Sequence, residues 1–159
     1  MAYLVVNPRA EALKRHATQR RGQLGLDRQT SVTVVTGPPC SGKTTYVNGH
    51  AQPGDLIVDW DVLAVALTGT RRPTGDLSRF VADARDAVLA KAATGTIDVD
   101  VWVVTTEQGD RLSALASRLG AKVHTMDTDM ETCLTRLRED PDGRDVAYAT
   151  DGIHRWFTS

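Results

Sequence analysis

The run Gly37-Pro38-Pro39-Cys40-Ser41-Gly42-Lys43-Thr44 fits the pattern G-x-x-x-x-G-K-[ST] at every fixed position. Such a loop binds phosphate because successive backbone N–H groups turn inward and a helix N-terminus adds its dipole. Gly37 and Gly42 are expected to supply dihedrals that a side chain forbids. Lys43 is expected to reach the β- and γ-phosphates, and the Thr44 hydroxyl to ligate Mg²⁺. Pro38, Pro39, Cys40, Ser41 and Thr45 complete the cradle. The ligand class this implies is a nucleoside triphosphate with Mg²⁺, and ATP is the expected donor.

Phosphoryl transfer also needs cations around the moving group and a group oriented on the nucleophile. Val58-Asp59-Trp60-Asp61 offers two carboxylates. Either can accept the proton of an acceptor hydroxyl, and Asp59 can hold Mg²⁺; either can instead cap the helix that follows. Trp60 suits stacking on a base or half-buried packing. The cations come late in the chain. Arg136 and Arg138 lie on a helix, and Arg144 follows the turn Asp140-Pro141-Asp142-Gly143, an arrangement like a kinase lid. Arginine suits that task because its fork bridges phosphate oxygens and stays charged. Arg138 and Arg144 are also candidate nucleotide contacts, and Arg71-Arg72 a candidate contact for an anionic acceptor. The four histidines show no metal-ligand spacing.

The elements around these residues follow from patterning. Residues 31–36 read as a buried strand and Thr44 opens a helix, so the loop lies between strand and helix as its chemistry requires. Strands are expected at 55–58, 99–105 and 121–125, and helices at about 61–67, 76–93, 112–119, 130–138 and 144–157. Asp76 is the expected cap of the second of these helices, with Leu77, Phe80, Val81, Ala84 and Val88 as its buried face. Thr128-x-x-Glu131 reads as a capping box. Alternation of strand and helix predicts an α/β fold: a three-layer P-loop NTPase arrangement with a short parallel sheet of about four strands. Ligands then bind beyond the carboxyl ends of the strands. That places Asp59 and Asp61 at the ligand end, and Asp98 and Asp100 at the other.

The 159 residues carry 41% hydrophobic and 25% charged residues, the balance of a soluble globular protein. No apolar run approaches the roughly 20 residues of a membrane span, and a cytoplasmic location (host cytoplasm, if phage-encoded) is expected. Residues 7–28 hold six cations against two anions, so the remainder of a chain of net charge −1 is acidic. A basic helix at about 8–21, started by Asn7-Pro8, is either a solvated face or an anion-binding arm. The expected division is a basic helical extension at 1–30 and a kinase domain at 31–159. Cys40 and Cys133 are expected to be structural.

On Thr36–Thr45 and the strand ending in Asp59-Trp60-Asp61, the chain resembles the small P-loop kinases of the polynucleotide kinase type. These include the bacteriophage 5′-kinase domain and zeta-toxin/AAA_33-like kinases, and the resemblance covers about residues 31–157. It implies that Asp61 matches the aspartate that activates the acceptor hydroxyl, with Asp59 nearby. It departs at Ala64, where the family often has an arginine, and at Thr105-Thr106-Glu107, where an aspartate is common. The expected function is an ATP-dependent kinase acting on a hydroxyl of a nucleic acid, either a polynucleotide 5′-hydroxyl or a modified base. A nucleoside, nucleotide or other small-metabolite kinase is the alternative. A nucleotide-binding accessory module with little turnover is the third reading.

Overall fold

In the computed structural model the chain divides into two units, residues 1–30 and 31–159. The structure describes residues 31–95, 99–139 and 145–159. The basic helix at 8–21, Asp98, the 140–143 turn and Arg144 lie outside them.

Four strands form one parallel sheet: β1 (Val32–Thr36), β2 (Leu56–Val58), β3 (Val101–Thr105) and β4 (Lys122–Thr125), in the spatial order β2-β3-β1-β4. Valine-rich runs such as Val32-Thr33-Val34-Val35 suit strands covered on both faces. Among the described residues there are six helices: α1 (Lys43–His50), α2 (Trp60–Thr68), α3 (Asp76–Ala93), α4 (Gly109–Leu119), α5 (Met130–Glu139) and α6 (Val146–Thr158). This is the α/β P-loop NTPase fold.

Successive residues of β1 feed opposite layers, as the pleat demands. Val34 packs with Val58, Val101 and Val103 against Leu89 and Ala92 of α3 and Leu119 of α4. Val35 packs with Val104 against Val47 of α1. A third cluster, Cys133, Leu137, Ala149 and Ile153, joins α5 to α6, and Cys40 of the loop rests on it. Burial pushes the Cys133 thiol up, which suits a structural cysteine. Asp100 is buried at the start of β3, where its Oδ1 accepts from the Ser31 N–H at 2.7 Å. It ties two strand starts together, at the end away from the loop.

Three local expectations are corrected. The N-cap of α3 is Gly75, at φ 58°, and Asp76 is the first helical residue. Thr128 does not form a capping box. Asp129 accepts from the Thr132 N–H at 2.8 Å, while the Thr128 hydroxyl donates to the Ser41 carbonyl at 3.1 Å. Finally, Leu77 and Phe80 are exposed, and the buried stripe of α3 runs through Val81, Leu89 and Ala92. The apolar residues of α3 cover two adjacent lines of the helix surface, and only one can face the sheet. Among the described residues no helix is long and apolar enough to cross a membrane.

Candidate active site

The loop leaves β1 at Thr36 and enters α1 at Lys43, and it is tied to both neighbouring strand ends. The Thr36 hydroxyl donates to the Glu107 carbonyl after β3 at 2.7 Å, and the Met126 N–H after β4 donates to the Thr36 carbonyl at 2.8 Å. The Thr128 hydroxyl holds the Ser41 carbonyl, and Arg136 Nη1 donates to the Cys40 carbonyl at 3.3 Å.

The two glycines act for different reasons. Gly42 has φ 92°, a conformation a side chain resists. Gly37 has no positive φ, contrary to expectation. A Cβ there would lie 2.7 Å from Ser41 Oγ and 2.8 Å from Met126 Cβ, so close packing excludes one. Cys40 carries φ 62°, the sole positive φ at a non-glycine among the described residues. Pro38 is fully buried, and Ser41 Oγ is buried without a hydrogen-bond partner. Pro39 abuts α6, where a Cβ on Gly152 would meet its Cγ at 3.0 Å.

Lys43 Nζ donates to the Gly37 and Pro38 carbonyls at 2.8 and 2.7 Å. Burial lowers its pKa to about 8, with Asp59 as the largest opposing attraction. Asp59 is buried and bifunctional. Its Oδ1 caps α2 by accepting from the Asp61 N–H at 2.9 Å, and its Oδ2 accepts from the Thr44 hydroxyl at 3.1 Å. Capping and an active-site role are therefore not alternatives. Thr44 and Asp59 present adjacent hard oxygen donors, which fits Mg²⁺ completed by substrate phosphates and water. Bound there, Mg²⁺ supplies charge neutralisation on the phosphates. Among the described residues no group of three His, Cys, Asp or Glu side chains suits a metal alone. Asp61 is half-exposed, with Arg71 Nη1 3.8 Å from its Oδ2.

One open cleft joins these groups. It is lined by Pro39 to Tyr46, Asp59, Trp60, Asp61, Arg71, Arg72 and Arg136, among others. Arg138 does not line it. Its guanidinium turns back onto its own helix, to the Leu134 carbonyl and the Thr135 hydroxyl. Arg72 pairs with Asp145 at 2.9 Å and stacks 3.6 Å above the Tyr148 ring, linking the loop after α2 to α6.

Sequence reasoning passed over Arg85, Glu107, Arg111 and Arg155, which also line the cleft. Glu107 follows a strand's carboxyl end, the signal that identified Asp59. The arginines sit on helices, where only tertiary packing reveals their direction.

A family model described as an AAA domain, AAA_33, matches residues 32–152. Comparison with curated proteins finds no match. Among solved structures, one titled "Structure of the Pnkp1/Rnl/Hen1 RNA repair complex" aligns with a TM-score of 0.61 at 11% identity. It covers 83% of this chain and 47% of the other, so the chain spans about half of that protein's length. A second, of AvrRxo1-ORF1 with AvrRxo1-ORF2 and sulphate ions, aligns at 0.49 with 19% identity, covering 93% of this chain and 56% of the other.

Proposed function

The chain belongs to the AAA_33 family of P-loop kinase domains, and on that premise we propose that it is an ATP-dependent kinase that phosphorylates a hydroxyl of a nucleic acid. The observation that carries the reading is the contact of Thr44 Oγ1 with Asp59 Oδ2 at 3.1 Å, two residues before a half-exposed Asp61 on the same cleft. In this reading it sets the cation site beside the half-exposed Asp61 carboxylate, the pairing that in-line transfer from a triphosphate to a hydroxyl needs.

In this reading the loop N–H groups and Lys43 hold the β- and γ-phosphates. Asp61 accepts the proton of the acceptor hydroxyl as its oxygen attacks phosphorus, and ADP leaves. Arg136, already on the loop at the Cys40 carbonyl, is the lid arginine that steadies the transferred group. Arg138 takes that role only if α5 turns on binding, because its guanidinium now bonds its own helix.

The nucleic-acid acceptor is supported by two observations. The fold neighbour belongs to an RNA repair complex by its title, and the cleft is open rather than an enclosed pocket. The deciding experiment is a labelled γ-phosphate transfer screen over DNA and RNA 5′-hydroxyl ends, modified bases, nucleosides, nucleotides and sugars. Transfer to polynucleotide ends or bases is the expected result. Transfer only to small metabolites changes the acceptor class, and tight ATP binding with no transfer to any acceptor overturns the enzyme reading in favour of an accessory module.

A further inference from the structure

The wall of the cleft formed by α3 carries a charge that the donor chemistry does not use. Arg85 lies four residues from Val81 and four from Leu89, both fully buried, so it interrupts the stripe that α3 turns inward. Its side chain is half-buried and lines the cleft. Among the described residues it makes no hydrogen bond and no ion pair. Burial pulls the guanidinium below its ordinary pKa, against weaker attraction from Asp86, Glu107 and Asp59. A partly desolvated cation without a partner costs stability that a leucine or methionine at this position would not. Such local contradictions between residue and environment concentrate at ligand sites.

Position narrows the ligand. The phosphate loop follows β1, whereas β2 and β3 lie to one side of it, with Asp59 one residue past the end of β2 and Glu107 two past the end of β3. Helix α3 connects those two strands, so Arg85 stands over the acceptor side of the sheet. Ser78, seven residues earlier on the same helix face, also lines the cleft. A guanidinium offers a planar pair of donors to two oxygens of one anion.

We propose that Arg85 is an acceptor clamp, binding an anionic phosphate ester that the acceptor carries beside the hydroxyl to be phosphorylated. This inference rests on the kinase reading above, and its test separates the two. The full chain is loaded with Mg²⁺ and a non-hydrolysable ATP analogue to fill the donor site, and binding of inorganic phosphate is followed by calorimetry. Arg85→Met is expected to weaken phosphate binding by about tenfold or more. It should keep the affinity for the analogue and melt at the same or a higher temperature, because an unpaired charge has been removed. Arg85→Lys should restore part of the binding. Two further arms identify the source of the phosphate. Tighter binding of thymidine 3′-monophosphate assigns it to a nucleic-acid backbone, and tighter binding of glucose 6-phosphate to a phosphorylated metabolite. Phosphate binding that is absent from the wild type, or unchanged in Arg85→Met, overturns the clamp; so does a parallel fall in melting temperature and analogue affinity. If Arg85-dependent phosphate binding is found but no acceptor is ever phosphorylated, the kinase reading falls and the anion site stands.

Discussion

The two halves of the cleft are built from different materials. The donor half is backbone: Gly37 packed against Met126, Gly42 at φ 92°, and carbonyls of Thr36, Cys40 and Ser41 each tied to a neighbouring element. The half proposed to take the acceptor is side chain: Asp61 with Arg71 3.8 Å away, Arg72 against Asp145 and Tyr148, and Arg85, which makes no hydrogen bond or ion pair among the described residues. A backbone cradle changes little with sequence and suits a ligand shared by a whole family. Side chains on helices and loops can be exchanged singly, so in the proposed reading acceptor choice is written there.

Substitutions that remove charge from the donor half should have the largest effect. Lys43→Ala is expected to lower phosphoryl transfer by on the order of 10³-fold or more, read from labelled γ-phosphate turnover, because it removes the cation that the proposed reading sets on the transferred group. Across the cleft, Asp61→Asn should lower kcat by about 10²- to 10⁴-fold while calorimetric ATP affinity stays constant. Unchanged turnover in that variant would sink the assigned role.

Packing gives a sharper contrast. Gly37→Ala should destabilise the fold by about 1–3 kcal/mol in chemical denaturation, since its Cβ would meet Ser41 Oγ at 2.7 Å. Gly49→Ala, on a helix with no atom within 4 Å of the new Cβ, should stabilise by about 0.4–1 kcal/mol. Equal effects at the two glycines would show that the loop is not held as tightly as its contacts indicate.

The pH dependence also belongs to the donor half. Lys43 titrates at about 8 in the free protein, and bound phosphates favour its charged form. ATP affinity should be constant below pH 8 and fall by up to about tenfold per pH unit above it, with proton uptake visible by calorimetry in buffers of different ionisation heat. The effect on folding has the opposite sign. The folded pKa lies below the ordinary value of 10.5, so the buried charge opposes folding below pH 8, and that penalty fades as pH rises from 8 to 10.5. The smallest effects are expected on α5. Arg136→Ala should slow turnover severalfold, whereas Arg138→Ala, whose guanidinium bonds its own helix, should stay within about twofold. A larger loss at Arg138 than at Arg136 would show that α5 turns on closing.

Much of this was legible in the chain. The eight residues from Gly37 to Thr44 and the alternation of strand and helix carry the fold, because a parallel sheet imposes both a periodic pattern and a ligand edge. Asp59 and Asp61 were legible because they follow a strand directly. The errors arose where two local readings compete. Thr128 and Asp129 are both good caps, and the choice fell to Asp129 because the Ser41 carbonyl takes the Thr128 hydroxyl. Leu77 and Phe80 share a helix with Val81 and Leu89, and only the sheet beneath decides which line is buried.

The sequence by itself determined that this is a nucleotide-binding P-loop domain, because a phosphate loop is local: eight consecutive residues contain the turn, the lysine and the hydroxyl. Tertiary structure decided the rest. It gave Gly37 a steric role that no dihedral argument predicts, turned Arg136 onto the loop and Arg138 away from it, and brought Arg85 from the middle of a helix to the wall of the cleft. Those assignments depend on which side of a helix meets the sheet, and that is settled by packing between elements distant in the chain.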